Sequence, residues 1–215
     1  MRKPYTEDDF SQFIFADRTW RIKEISDLKT AIRRSDKILE RVLLRALVTI
    51  SYAHWEGHVR YSARLYLTHI AIRKLPLSEL NVQFLKNTFL PRLTALSTNK
   101  ANLTARCELL EDILAASPLK FSRVNDDLVN TKSNLNSEVL RDICQVCGLA
   151  FADFEDHIGF IDTILLKRRN AIAHGEDAFI DKSDLDQISN TTISLMRLFG
   201  DGLDNIVQLK SYKAA

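Results

Sequence analysis

Apolar residues recur at three- and four-residue spacing along most of the chain, which is the period of helices that pack one face against a core. Thr6 and Asp9 have the spacing of a capping box and predict a short first helix, and the apolar positions of residues 20–32 predict a second. A long helix follows over about residues 36–73, and its broad apolar set makes it the central element. The predicted fold class is all-α, a helical bundle with one long central helix.

The periodic pattern loosens in the middle third of the chain and returns after it. Prolines and a polar run interrupt residues 76–131, although residues 102–115 keep a helical spacing. Helices are predicted again over residues 137–149, 152–174 and 183–209. The last begins with Ser183 and Asp186 as a second capping box. We expect a single domain over residues 1–215, with residues 76–131 as a partly irregular insertion between core helices.

Composition and charge limit the kinds of molecule that the protein is expected to bind. Hydrophobic residues make up 46% of the 215 positions, which is enough for a substantial core. The formal net charge of +2 excludes a strong overall basic field, so any contact with nucleic acid must be local. The chain turns acidic soon after its first residues, and its longest apolar region, around residues 42–50, is flanked by charges. We expect a cytoplasmic protein without a membrane partner.

Several residues with metal-binding side chains have a simpler interpretation. Cys144 and Cys147 have the spacing of half a zinc site, but both continue the apolar pattern of their helix, so we interpret them as core residues. His54 and His58 enclose Glu56, which is displaced from the order His-Glu-x-x-His of zinc proteases. A phosphate-binding loop and a dinucleotide fingerprint are absent from the sequence. The sequence therefore predicts neither a metal nor a cofactor.

The most informative segment covers residues 153–176. An apolar stripe runs along it, and basic and polar side chains gather in its last turns, in the order Lys167-Arg168-Arg169-Asn170-Ala171-Ile172-Ala173-His174-Gly175. The glycine predicts the end of the helix. Arg64 and His69 repeat the spacing of Arg169 and His174, but they lie inside the long helix among apolar residues and lack a terminal glycine. We interpret that earlier pair as structural.

The motif of residues 169–174 resembles the signature of the HEPN superfamily (higher eukaryotes and prokaryotes nucleotide-binding domains), in which an arginine and a polar residue precede a histidine by a few positions. Residues 53–60 and 131–140 are similar to a prokaryotic branch of RNase type that is associated with defence and toxin–antitoxin systems. The resemblance implies a helical bundle that dimerises through the motif helices. It also implies a metal-independent endoribonuclease in many members, and a non-catalytic binding or assembly module in others.

Elementary chemistry gives the motif residues roles in RNA cleavage. RNA carries its own nucleophile, the 2′-hydroxyl, so cleavage needs a proton acceptor active near neutral pH, a cation and correct orientation. His174 suits the first role and Arg169 the second. Asn170 lies four residues before His174 on the same helix face, so it is placed to orient His174 or the phosphate. Glu56 is a candidate support for Arg169 or His174, with an ordinary solvated carboxylate as the alternative.

The flanking cations and the helix geometry complete the hypothesis. Lys167 and Arg168 either bind RNA phosphates or complement the helix dipole. Arg169 and His174 are five residues apart, about 140° around a helix, and pairing two copies would bring both groups together, which motivates a dimer. We expect a homodimeric endoribonuclease, a toxin or defence effector, with an antitoxin or regulatory protein as a further partner. A non-catalytic module that binds RNA, a nucleotide or a protein is the alternative, and a purely structural dimerisation domain is a third hypothesis.

Overall fold

The longest predicted helix forms the axis of the fold. The computed structural model describes residues 3–98, 103–131 and 134–214 of the chain. Helix α2 begins after the N-cap Asp36, whose carboxylate accepts two backbone N–H groups of the first turn. The all-α prediction is confirmed, since seven α-helices contain most of the described residues. They are α1 (Glu7–Arg34), α2 (Lys37–Ile72), α3 (Val82–Thr98), α4 (Leu103–Leu114), α5 (Ser137–Cys147), α6 (Arg168–Ala173) and α7 (Asp184–Gln208).

The main core lies where α1 and α7 pack against α2, which are the most extensive helix contacts of the fold. Large apolar side chains of all three helices are fully buried there, such as Phe10 on α1, Trp55 on α2 and Phe199 on α7. The rings of Trp55 and Phe199 meet edge to face with their centroids 6.3 Å apart. These three helices form the support on which the motif segment is placed.

Helix α1 is one helix and not the predicted two. Its capping box is confirmed, because the Thr6 hydroxyl accepts from the Asp9 backbone N–H and the Asp9 carboxylate accepts from that of Thr6, each at 3.0 Å. The predicted break before residue 20 is wrong. Neither glycine nor proline interrupts the helix, and its buried positions continue through Ile25 to Ile32.

The middle third contains more regular structure than its sequence pattern indicates. Helix α3 carries Pro91 in its interior and packs against both α4 and α5. A proline removes one helical hydrogen bond, which explains why the pattern did not predict this helix. Helix α4 agrees with the predicted residues 102–115, of which Asn102 lies outside the described residues. The interpretation of residues 76–131 as an insertion stays a prediction.

The segment before the motif departs from a regular α-helix. A single helix over residues 152–174 is wrong, because Phe151–His157 form a 3-10 helix and Phe160–Lys167 a π-helix that continues directly into α6. π-Helical turns are rare and often occur at functional sites. The second predicted capping box is wrong as well. Ser183 already has helical backbone angles, and its hydroxyl donates to the Asp181 carboxylate at 2.6 Å.

The two cysteines of α5 are buried, as predicted for core residues. Burial raises the pKa of Cys144 to about 12 and also raises the pKa of Cys147, so both are thiols at neutral pH. Throughout the described ranges, no three His, Cys, Asp or Glu side chains come together as a metal site. A search of the same ranges finds no helix with the length and apolar character needed to cross a membrane.

Candidate functional site

The motif helix ends in a tight glycine turn, as the sequence predicts. His174 is the C-cap of α6, and Gly175 adopts φ +79°, the left-handed conformation that glycine tolerates best. The Glu176 N–H donates to the Ala171 carbonyl at 2.9 Å, and the Gly175 N–H donates to that of Ile172 at 3.1 Å. This pair of bonds is a Schellman motif. It closes the helix directly after His174 and leaves that residue at an exposed tip.

Arg169 lies on the opposite side of this tip, against α2. Its guanidinium carbon is 4.0 Å from the centroid of the Tyr52 ring, which is a cation–π contact. Its Nη2 atom is 4.0 Å from Oε2 of Glu56, a distance for charge attraction and not for a direct hydrogen bond. The Arg169 side chain is 20% exposed. Glu56 therefore lies next to Arg169. Arg169 and His174 were the two residues that Glu56 was expected to support.

Tyr52 and Glu56 are in turn held by the segment that precedes α5. The Tyr52 hydroxyl accepts from the Leu135 backbone N–H at 2.7 Å, and the Thr131 hydroxyl donates to Glu56. Burial raises the pKa of Tyr52, so its phenol stays protonated at neutral pH. Residues 131 and 135 belong to the segment that resembles the prokaryotic branch, and Lys132 and Ser133 of that segment lie outside the described residues.

Asn170 and His174 share one face of α6, but their side chains have different surroundings. The Asn170 amide is 3.4 Å from the Asn134 side-chain oxygen, at the long end of the range for a hydrogen bond. The His174 side chain is exposed. In the part of the chain that the structure describes, no hydrogen bond joins the Arg169 and His174 side chains, and Arg169 lies against Tyr52 and Glu56 instead. The roles of these three residues in cleavage stay predictions.

The two flanking cations differ from each other. Lys167 is exposed at the end of the π-helix. Arg168 donates to the Asp184 carboxylate at 2.6 Å, and this pair ties α6 to the start of α7. Their assignment to RNA binding stays a prediction, and for Arg168 it requires phosphate to compete with Asp184.

The competing arginine–histidine pair has a structural role, as predicted. His69 is fully buried, with its Nδ1 atom 2.9 Å from the Pro4 carbonyl oxygen. Arg64 points the other way and donates to Asp126 at 2.8 Å near the surface. Two groups that face apart on a helix in this way do not form one site.

His58 belongs to a second polar cluster, on the side of α2 that faces α1 and α7. Its Nδ1 atom is 2.8 Å from Asp17, and its Nε2 atom is 2.9 Å from the Met196 carbonyl oxygen. Arg21 donates two hydrogen bonds to the Asp17 carboxylate, each at 2.9 Å. Burial acts to raise the pKa of Asp17, but the hydrogen bonds from His58 and Arg21 outweigh it and hold the pKa below its usual value of 3.8.

Sequence reasoning missed Tyr52 and Thr131 beside Arg169, and Arg45 beside the turn after the motif. A signal for two of them exists in the chain. Arg45, Tyr52 and Glu56 are spaced seven and four residues apart, so they lie on one face of α2. A tyrosine in a largely apolar helix suggests a core residue, and Tyr52 is indeed 2% exposed. Its second role, as the aromatic ring that contacts the Arg169 guanidinium, depends on the packing of α6 against α2.

An all-α bundle with an Arg-Asn-x-x-x-His segment at the end of a helix has the features of a HEPN domain. The RiboL-PSP-HEPN family model matches residues 16–205, which is most of the chain. The protein therefore belongs to this HEPN family, and the resemblance found in its sequence is confirmed. Family membership supports a module of the nucleotide-binding or ribonuclease type. Neither the curated proteins nor the solved structures include a significant match to the chain.

Proposed function

We propose that this protein is a metal-independent endoribonuclease that cleaves RNA as a homodimer and serves as a toxin or defence effector. The observation that carries the proposal is the display of two complementary groups at one helix end. Arg169 supplies a permanent cation stacked on Tyr52, and His174 supplies an exposed imidazole at the C-cap. Membership of the RiboL-PSP-HEPN family supports the same class of activity.

The chemistry follows from the two groups. The 2′-hydroxyl oxygen of RNA attacks the adjacent phosphorus, and the bond from phosphorus to the 5′-oxygen breaks. His174 accepts the proton of the 2′-hydroxyl or donates one to the leaving 5′-oxygen, and Arg169 stabilises the charge that develops on the phosphoryl oxygens. Asn170 orients the phosphate or the imidazole, and Lys167 and Arg168 bind neighbouring phosphates. The products carry a 2′,3′-cyclic phosphate and a 5′-hydroxyl.

A homodimer is part of the proposal because one protomer holds the two groups apart. Arg169 faces α2, whereas His174 stands at the exposed tip. Three large apolar side chains are strongly exposed in the first turns of α2 and in the loop after the motif, namely Ile38 at 84%, Val42 at 59% and Phe179 at 71%. Exposed apolar surface of this kind marks interaction sites. A second copy that covers this patch would bring the two motif helices, and thus the two sets of groups, together.

The test is cleavage of transfer RNA and total RNA by the purified protein in EDTA, with analysis of the product ends. We expect wild-type activity that His174→Ala abolishes and that leaves cyclic phosphates. His157→Ala is the matched control, because His157 is also partly accessible but lies before the π-helix, away from the tip. Products with only 3′-hydroxyl and 5′-phosphate ends would contradict this mechanism.

The same variants separate the proposal from a non-catalytic HEPN module. If the wild type and His174→Ala both bind RNA, a nucleotide or a protein and neither cleaves RNA, the binding module is the better description. Growth arrest after induced expression tests the toxin assignment. We expect arrest with the wild type and normal growth with His174→Ala at equal protein levels. Sedimentation analysis of the wild type and of Val42→Asp tests the dimer.

A further inference from the structure

A single arginine of α2 holds the chain segment that follows the motif. The Arg45 guanidinium donates to the backbone carbonyl of Glu176 at 3.0 Å and to that of Ala178 at 3.1 Å. Its side chain is 24% exposed, and the bond to Ala178 is partly buried, whereas the bond to Glu176 is exposed. Both carbonyls lie just beyond the Gly175 turn, and the Glu176 N–H completes the Schellman motif. Arg45 thus fixes the far end of the turn that carries His174.

The position of His174 depends on this backbone support. Across the described residues, its imidazole forms no hydrogen bond with another side chain. Its own backbone N–H donates to the Asn170 carbonyl at 2.9 Å, which fixes the residue on the helix side of the turn. Arg45 fixes the loop side. A proton-transfer group needs a position defined to a fraction of an ångström, and a misplacement of about 1 Å can cost 100-fold in rate.

We propose that Arg45 is a positioning residue for His174, and that it acts by clamping the Glu176 and Ala178 carbonyls against α2. This inference rests on the proposed ribonuclease function of the same site. Arg45 and Tyr52 are seven residues apart on one face of α2. Helix α2 thus supports both halves of the motif from one face. Tyr52 contacts Arg169, and Arg45 binds the loop that follows His174.

Arg41 provides a matched control, one helical turn earlier on the same face of α2. It pairs with the carboxylate of Asp177 at 2.5 Å, in the same loop. Both side chains are more than half exposed, at 55% and 77%. Arg45 also lies 3.7 Å from the Asp177 carboxylate, but unlike Arg41 it donates to two backbone carbonyls. Exposed ion pairs such as that of Arg41 contribute little to stability. Loss of Arg41 should therefore leave His174 in place, and loss of Arg45 should not.

The experiment combines NMR of histidine-labelled protein with cleavage kinetics for Arg45→Gln, Arg45→Lys and Arg41→Gln. The His174 ring signals are assigned by their disappearance in His174→Ala. We expect Arg45→Gln to shift and broaden the His174 signals while those of the buried His58 and His69 stay unchanged, and to lower kcat about tenfold with little change in KM. Arg45→Lys keeps the charge and one donor contact, so it should recover part of both effects. Arg41→Gln should match the wild type.

The NMR measurement requires no catalysis, so failure of the proposed function and failure of this inference are distinguishable. If wild-type protein cleaves no RNA but Arg45→Gln still moves the His174 signals, the positioning role holds and the reaction assigned to the site is wrong. If wild type cleaves RNA and Arg45→Gln changes neither kcat nor the His174 signals, the positioning role is wrong. A shift of all five histidines in Arg45→Gln would equally overturn it, since the effect would then be a general rearrangement.

Discussion

Two polar clusters lie on nearly opposite faces of α2, and each contains an arginine, a carboxylate and a ring. In the cluster that faces α1 and α7, Arg21, Asp17 and His58 form hydrogen bonds of 2.8 to 2.9 Å, and the His58 side chain has no exposure. In the cluster that faces α6, the Arg169 and Glu56 groups are 4.0 Å apart, and their side chains are 20% and 16% exposed. The first cluster is sealed, and the second opens to solvent.

The difference shows how similar residues take on different tasks. In the sealed cluster two glycines allow close approach, since a Cβ atom added at Gly57 would lie 2.6 Å from Arg21 and one at Gly200 would lie 3.0 Å from His58. Such a cluster joins three helices through direct hydrogen bonds. The open cluster is attached to a helix end and a loop, and its arginine rests on an aromatic face. We therefore expect the first to govern stability and the second to govern activity.

The largest expected effect is the loss of stability in Asp17→Ala. This change leaves Arg21 and His58 buried without their common acceptor, and breaking a buried ionic network by removing one partner costs about 3–5 kcal/mol. Urea unfolding followed by circular dichroism measures the change in the free energy of unfolding. Glu56→Gln is the control from the open cluster, with an expected change below about 1 kcal/mol. Equal losses in the two variants would show that the two clusters contribute equally to stability.

Acid titration sharpens the same prediction. The pKa of Asp17 is held below its usual 3.8 in the folded protein, so the unfolded chain takes up its proton first as the pH falls. The stabilisation by the ionised carboxylate is therefore complete well above pH 3.8 and is lost below it. The difference in unfolding free energy between wild type and Asp17→Asn should shrink as the pH drops below that value. A difference that stays constant to lower pH would show that Asp17 acts without its charge.

Arg169→Lys should have the second largest effect, and on activity instead of stability. Lysine keeps the positive charge but loses the planar fork that stacks on Tyr52 and that, in the proposed function, binds phosphate at two points. We expect kcat/KM for RNA cleavage to fall about 100-fold, with the free energy of unfolding changed by less than about 1 kcal/mol. The measurement pairs single-turnover cleavage with urea unfolding. A large loss of stability with little loss of activity would show that Arg169, like Arg21, has a structural role.

The smallest expected effect concerns the glycine turn beside the open cluster. Gly175→Ala places a side chain at φ +79°, and the left-handed conformation costs about 1–2 kcal/mol outside glycine, although the space around it is free. Gly159→Ala is the matched control, because Gly159 also has free space but helical angles, and alanine should stabilise it by about 0.4–1 kcal/mol. Thermal unfolding of both variants provides the comparison. We expect the unfolding temperature to fall in Gly175→Ala and to rise in Gly159→Ala. A change in the same direction in both variants would contradict the argument from backbone angle.

Much of the fold follows from the sequence because its helices are long and their apolar patterns are regular. The bounds of α2 and the glycine turn after His174 are close to those predicted. The position of Glu56 near Arg169 agrees with one of the alternatives that the sequence left open for it. These features depend on local spacing or on a short motif, both of which a single sequence displays.

Features that depend on contacts between distant residues could not be predicted. Asp17 and His58 are 41 positions apart, and nothing in their local spacing pairs them. Arg45 shares a helix face with Tyr52 and Glu56, but the backbone carbonyls that it binds carry no signature in the sequence. Thr131 reaches Glu56 from 75 positions away, across a region whose pattern is weak. In each case the tertiary packing of α2 decides which side chains meet.

The π-helix before the motif has a consequence for how this protein tolerates insertions and deletions. A π-turn takes in more residues than an α-turn, and each residue of an ordinary helix advances the chain by about 100°. Deleting one residue from the segment Phe160–Lys167 would therefore let it wind as an α-helix with nearly the same total rotation, so α6 would still face Tyr52. A homologue with the same motif and one residue fewer in this segment would therefore present the same face of α6 to α2.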